Sequence, residues 1–191
     1  HGLSTAGGAY QPGMSDYVVG VKKNGMAALA GPALLKAATG QIADKDELGG
    51  SEMHARITGL VEYLAEDDEH AIEITREVID KIDWNSSLNN RENILFDNPV
   101  YDVSELIGVV SADYKIPYDV REVVARLVDG SDFIDFKPLY GVSTVCIQTK
   151  IHGHPCGVIG NNGPIDPNGA TKAAQFIQLC DQANIPIIFL S

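Results

Sequence analysis

Basic residues, cysteine and long apolar runs are all scarce in this 191-residue chain, and each scarcity excludes something. Fourteen Lys and Arg stand against 26 Asp and Glu, for a net charge of −12, and no Lys/Arg cluster occurs. That leaves neither the basic footprint of a nucleic-acid surface nor a polybasic patch for an anionic membrane. The acidic excess is shared along the chain and forms no tail. Cys146, Cys156 and Cys180 are too few and too scattered for a disulfide framework, and no CxxC is present; free thiols fit a reducing compartment. No apolar run reaches the roughly 18 residues a membrane-spanning helix needs, and no signal-peptide pattern opens the chain. There is no P-loop and no GxGxxG. Ser4, Ser15 and Ser143 lack the context of a nucleophile elbow. The opening residues read as mid-protein and the last, 185–191, as a buried strand, so the chain is expected to be a piece of a longer polypeptide.

What is present is an alternation of short strands and helices. Residues 16–23 and 26–30 have strand character. Gly31-Pro32 opens a helix that Gly40 closes, and Leu48-Gly49-Gly50 reads as a sharp turn. Residues 66–82 form the clearest helix, with Ala71, Ile74, Val78 and Ile82 on one stripe, widened by Ile72 and Ile79, and acids crowding its first turn. A second helix is predicted over 117–128, with Val120, Val123, Val124, Leu127 and Val128 inward. Residues 145–151 alternate as a strand, His152 to Pro155 turn, and 156–160 return. A polar loop from Asn161 leads to a helix over 170–183 with Ala173, Phe176, Ile177 and Cys180 inward, then to the final strand. Strand, loop, helix and apolar strand make a βαβ rhythm, hence an α/β fold. The Asn- and Ser-rich stretch 83–99 lacks periodicity and is the best linker.

Candidate chemistry is sparse. Gly7 and Gly8, inside Ala6-Gly7-Gly8-Ala9-Tyr10, lack any Cβ to keep a ligand off the backbone. Their N–H groups could converge on one oxygen, aided by the positive end of a following helix; a plain tight turn is the competing reading. His152 and His154 are two apart, which suits a metal pair in an extended strand, but no third ligand stands at a recognisable spacing and a polar turn is favoured. His1, His54 and His70 are isolated and take no role. The cysteines sit in apolar or turn settings and are read as inert. With no coherent acid/base set, an enzyme built this way must stabilise charge with backbone amides.

Several motifs stand in order: "STAGGAYQPGMSD" (4–16), "LAGPALLKAATG" (29–40), "DELGGSEMHARITG" (46–59), "AEDDEHAI" (65–72), "PYDVREVVARLVDGSDFIDFKPLYG" (117–141), "IHGHPCGVIGNNG" (151–163) and "AAQFIQLCDQANIPIIFL" (173–190). Together they resemble the carboxyltransferase (β) subunit of biotin-dependent acyl-CoA carboxylases, over nearly the whole chain. Tyr10, the "AGP" turn and the spacing of "LGG", His54 and "TG" look most like the methylcrotonoyl-CoA and geranyl-CoA branch, the former tied to leucine catabolism; the propionyl-CoA branch fits less well.

The resemblance implies a crotonase-like ββα superhelix (the ClpP/crotonase fold) and parts of two such domains. Residues 1–84 would be the C-terminal part of the N-terminal carboxyltransferase domain, 85–97 a linker, and 98–191 the N-terminal part of the C-terminal domain. It implies a β hexamer joined to a biotin carboxylase/biotin carboxyl carrier α subunit, in bacterial cytoplasm or mitochondrial matrix. Active sites then lie between the N-domain of one subunit and the C-domain of its neighbour. No membrane or nucleic-acid partner and no metal are expected; the cofactor is biotin on the partner, and the substrate an acyl-CoA thioester. In the implied mechanism carboxybiotin yields CO2, the biotin anion takes the acidic proton of the acyl-CoA, and the enolate or dienolate attacks CO2. By motif match, the Gly7 and Gly8 amides belong to the oxyanion hole. Ala6, Ala9 and Tyr10 shape the pocket, and Ala30-Gly31-Pro32 and Asn161-Asn162-Gly163 line the cleft.

Two positions depart from the family pattern. Ser4 stands where a cysteine is usual, and Ala28 where a bulky aromatic is usual, a change that enlarges the pocket. The biotin-side glycine pair is expected after Ser191 and the first N-domain strands before His1, so the piece alone is expected to be inactive. Two other readings compete: a biotin-dependent CoA-ester decarboxylase subunit of a sodium-pump complex, and a non-catalytic module that kept the fold.

Overall fold

The computed structural model describes residues 1–82, 95–113 and 115–190. The chain divides into two compact units, His1–Arg76 with Lys137–Tyr140, and Glu77–Phe136 with Gly141–Ser191. Of the expected linker 85–97, residues 85–94 lie outside the described residues.

The first unit is built on short parallel strand pairs. Strands β1 (Gly2–Thr5), β2 (Val19–Val21), β3 (Gly25–Ala28) and β4 (Tyr63–Ala65) pair as β1 with β3 and β2 with β4. The strand predicted over 16–23 is cut to three residues because Lys23 turns to a left-handed φ of 59° and the amide of Asn24 bonds back to Lys22 O. The Pro32–Thr39 helix begins on proline and ends on Gly40 at φ 75°, where a side chain would be strained.

Gly49 and Gly50 make no simple turn. Gly49 ends the Lys45–Gly49 helix and Gly50 leads straight into Ser51–Met53, neither at a positive φ. They are glycines for closeness: a Cβ on Gly49 would stand 2.4 Å from Ala27 O, and one on Gly50 2.7 Å from Asp46 O. A π-helical turn, His54–Thr58, follows and ends at Gly59.

The helix predicted over 66–82 spans Asp68–Lys81, since the Asp67 carboxylate accepts from the His70 amide and caps it. Val78 and Lys81 are buried, whereas Ile72 and Ile79 stay exposed, so the inward stripe is narrower than the sequence pattern suggests. A strap from later in the sequence, Lys137–Tyr140, also counts with this unit. Its Lys137 ammonium lies 3.2 Å from the Glu62 carboxylate, both buried, and donates to Gly59 O. The other Glu62 oxygen accepts from the Val18 amide at 2.7 Å.

In the second unit, strands β5 (Phe133–Phe136), β6 (Thr144–Ile151), β7 (His154–Asn161) and β8 (Ile187–Leu190) form one sheet in that order, antiparallel except for the parallel β7–β8 pair. The β7–helix–β8 crossover realises the predicted βαβ unit. Both faces are covered, so β6 is buried along nearly its whole length although its residues alternate in polarity. On one face Val120, Val124 and Val128 pack on Val145, Ile147 and Val158. On the other, Phe176 and Cys180 stand over Gly157, whose Cβ would lie 2.8 Å from Cys180 Sγ.

The helix predicted over 117–128 is regular for Val120–Val124 alone; Leu127 is exposed, and an i, i+4, i+8 valine set does the packing. The last helix starts earlier than expected, at Pro167, capped by Asp166, and Ile177 faces outward rather than inward. The final strand is not buried: Ile188 and Phe189 are exposed.

Candidate functional site

The glycine pair sits where β1 ends. Ala6–Ala9 forms a single 3-10 turn that runs directly into the Tyr10–Gly13 helical turn. Thr5, at the N-cap, makes no side-chain capping bond, and first-turn amides lack intrahelical acceptors. Ala6 is held at φ 51°, an uncommon value for alanine, and its amide donates to Leu29 O at 3.1 Å. Neither Gly7 nor Gly8 needs a positive φ, and a Cβ on either would meet nothing within 4 Å. Among the described residues, then, their lack of side chains serves no packing or backbone need.

Parallel pairing of β1 with β3 puts Thr5 opposite Ala28, so both strands reach their carboxyl ends together. The Ala30-Gly31-Pro32 turn thus lies beside Ala6–Ala9, at the edge where α/β folds bind ligands. An apolar cleft of about 550 Å³ opens there, lined by Ala9, Ala28, Ala30, Leu48, Met53 and His54 among others. Tyr10 is two-thirds exposed beside it.

His54, which the sequence left without a role, is a wall of this cleft. Nε2 lies 2.7 Å from Ala27 O and Nδ1 2.8 Å from Thr58 Oγ1. A carbonyl has no proton to give, so Nε2 is the donor. The usable signal was local: a histidine and a threonine four apart, following a glycine pair and closed by Gly59.

Asn161, Asn162 and Gly163 belong to the second unit, at the end of β7. Asn162 is a brace: its Oδ1 accepts from the Val120 amide and its Nδ2 donates to Asp119, each at 2.8 Å. Burial pushes the Asp119 carboxyl up, but bonds from the Arg121 amide, Asn162 and the Arg121 guanidinium outweigh it and hold the group below the usual carboxylate range. Arg121 also reaches Asp135, whose carboxyl burial pushes up against the pull of Arg121 and Lys172. Asn161 is exposed, and Gly163 rests against Ser143.

His152 and Gly153 form a two-residue hairpin turn, both at positive φ, with their amides donating to the Asp129 carboxylate at 2.8 and 2.6 Å. The His152 ring packs on Phe96 at 4.5 Å. The three thiols are buried; burial pushes Cys146 up to about 12 and Cys156 and Cys180 up to about 11, which suits inert groups. Among the described residues no helix is long and apolar enough to cross a membrane.

Comparison with known proteins places this architecture. The carboxyl transferase domain model matches residues 1–191. The mitochondrial methylcrotonoyl-CoA carboxylase beta chain of Dictyostelium discoideum is 45% identical over 194 residues, 99% of this chain and 32% of that protein. The geranyl-CoA carboxylase beta subunit of P. aeruginosa is 55% identical, covering 100% of this chain and 35% of that one, with a TM-score of 0.50. Transcarboxylase 12S, solved as a hexamer with hydrolysed methylmalonyl-CoA bound, is 34% identical with a TM-score of 0.85, over 98% of this chain and 38% of that one. The chain spans about a third of the length of the curated relatives it matches. The fold is the crotonase-like fold of the carboxyltransferases, and the chain belongs to the carboxyl transferase domain family.

Proposed function

We propose that the protein bearing this chain is the carboxyltransferase (β) subunit of a biotin-dependent acyl-CoA carboxylase, acting on a methyl-branched enoyl-CoA, with methylcrotonoyl-CoA the leading substrate. The carrying observation is the exposed Gly7-Gly8 pair at the carboxyl end of β1, tied through Ala6 to the next strand and adjoining an apolar cleft. In this reading the cleft takes the acyl chain and the Gly7 and Gly8 amides hold the thioester oxygen as it becomes an enolate. Removing one such donor typically costs about 2.7–4 kcal/mol of transition-state stabilisation. Ala6, Ala9, Tyr10 and the Ala30-Gly31-Pro32 turn shape the entrance.

Carboxybiotin, carried by a biotin carboxylase/carrier subunit, supplies CO2 and the base. In this reading the part taken by this chain is oxyanion stabilisation and acyl binding. A hexamer of two-domain subunits, dividing at 84 and 98, in bacterial cytoplasm or mitochondrial matrix, completes the reading. Geranyl-CoA or propionyl-CoA is the alternative substrate. The cleft's volume, with Ala28 on its wall, leaves room for a longer chain.

The test is ATP-dependent fixation of labelled bicarbonate by the full-length subunit with its biotin-bearing partner. Acetyl-, propionyl-, methylcrotonoyl- and geranyl-CoA form the panel, with avidin as control. Avidin-sensitive labelling of a branched enoyl ester is expected. Labelling of propionyl-CoA alone overturns the substrate, and labelling of none overturns the carboxylase.

A further inference from the structure

We propose that His54 is a positioning residue for the Gly7-Gly8 amides, holding the end of β3 through Ala27 so that Leu29 O keeps Ala6, and the glycines after it, in line; this rests on the oxyanion reading above. The path is a chain of short links. The His54 ring donates from Nε2 to Ala27 O, on a strand residue whose neighbour Ala28 pairs with Thr5. One residue on, Leu29 O accepts from Ala6, whose left-handed φ aims the turn that carries Gly7 and Gly8. Ala27 O therefore fixes the strand immediately before the carbonyl that anchors the glycine turn.

The ring is itself held from behind. Nδ1 meets Thr58 Oγ1, which also accepts from the Leu60 amide at 3.3 Å, and both residues lie on the π-helical turn His54–Thr58. That turn ends at Gly59. The buried Lys137 donates to Gly59 O, and the Tyr140 ring stands so close that a Cβ at Gly59 would lie 2.9 Å from it. His54 is thus backed by a buried ion pair and an aromatic ring and reaches forward to the strand beside the glycines. Such rigid support is what oxyanion geometry requires, because a donor displaced by a fraction of an ångström loses most of its advantage.

The readout is the infrared carbonyl band of methylcrotonoyl-CoA labelled with 13C at the thioester carbon, bound to the full-length subunit. Polarisation by the two amides lowers the band from its position in water. His54→Phe keeps the ring's bulk and removes the bond to Ala27; it is expected to lose most of that shift and to lower kcat about tenfold with little change in KM. His54→Gln can place an amide N–H near the Nε2 position and is expected to restore both. A His54→Phe band as shifted as that of the unmodified protein overturns the inference while leaving the oxyanion reading intact. No shift in the unmodified protein overturns the oxyanion reading first. If His54→Phe does not fold, Thr58→Val, which unties the ring from behind, is expected to lose part of the shift; an unchanged band there overturns the inference equally.

Discussion

The two units handle apolar surface in opposite ways. The second covers a four-stranded sheet on both faces, Val120, Val124 and Val128 on one and Phe176 with Cys180 on the other, and buries β6 along nearly its whole length. The first spends its parallel strands in pairs and leaves Ala28, Leu29, Ala30, Leu48 and Met53 around an open cleft. Glycines divide by role rather than by unit: Gly157 and Gly160, like Gly49 and Gly50 of the first unit, have neighbours where a Cβ would stand, whereas Gly7 and Gly8 face open space. Close packing suits a scaffold, whereas apolar lining and bare backbone left open are what the proposed ligand site requires.

The largest expected effect is on the packed side of that contrast. Phe176 is fully buried against Phe136, with ring centroids 5.4 Å apart. Phe176→Ala should cost about 3–5 kcal/mol, read as a lower midpoint in chemical denaturation. An unchanged midpoint would show that the second unit lacks a tight core around these rings. Next comes a pair of glycine substitutions that separates scaffold from site. Gly8→Ala fits the backbone and keeps the amide but sets a Cβ where the ligand must approach, so the denaturation midpoint should hold while carboxylation by the full enzyme falls. Gly49→Ala drives a Cβ to 2.4 Å from Ala27 O and should behave in reverse, losing about 1–3 kcal/mol of stability. If both lose stability alike, the openness of the glycine pair has no functional meaning.

Much of the contrast was legible in the sequence, for reasons that can be named. The Pro32–Thr39 helix carries its own punctuation, proline at the start and Gly40 at the end. The β6–β7 hairpin follows from alternating apolar residues about a His-Gly turn. What failed depended on partners distant in sequence. Ile72 and Ile79 fit an apolar stripe, yet both stay exposed on the Asp68–Lys81 helix. Leu127 lost its inward place because the helix ends at Val124 and the chain turns. At the site, the glycine motif announced itself, but His54 did not. Its place depends on β3 running past it and on a buried Lys137 more than eighty residues away, and no local periodicity encodes either.

The smallest effect sharpens the comparison at Asn162, which the family resemblance put at the cleft and the structure uses as a brace. Asn162→Ala leaves the Val120 amide without its acceptor and should cost about 1 kcal/mol. It also removes a donor that helps hold the Asp119 carboxyl below the usual range. A carboxyl lowered in the folded state contributes stability that is present above its unfolded pKa, about 3.9, and is lost as pH falls through the folded value. Part of the gap between the original protein and the variant should therefore be full at neutral pH and narrow in acid, leaving the Val120 share. A gap independent of pH would mean that Asn162 supports the helix start alone. A large loss of carboxylation at unchanged stability would instead place Asn162 with Gly7 and Gly8, as a group that meets the ligand.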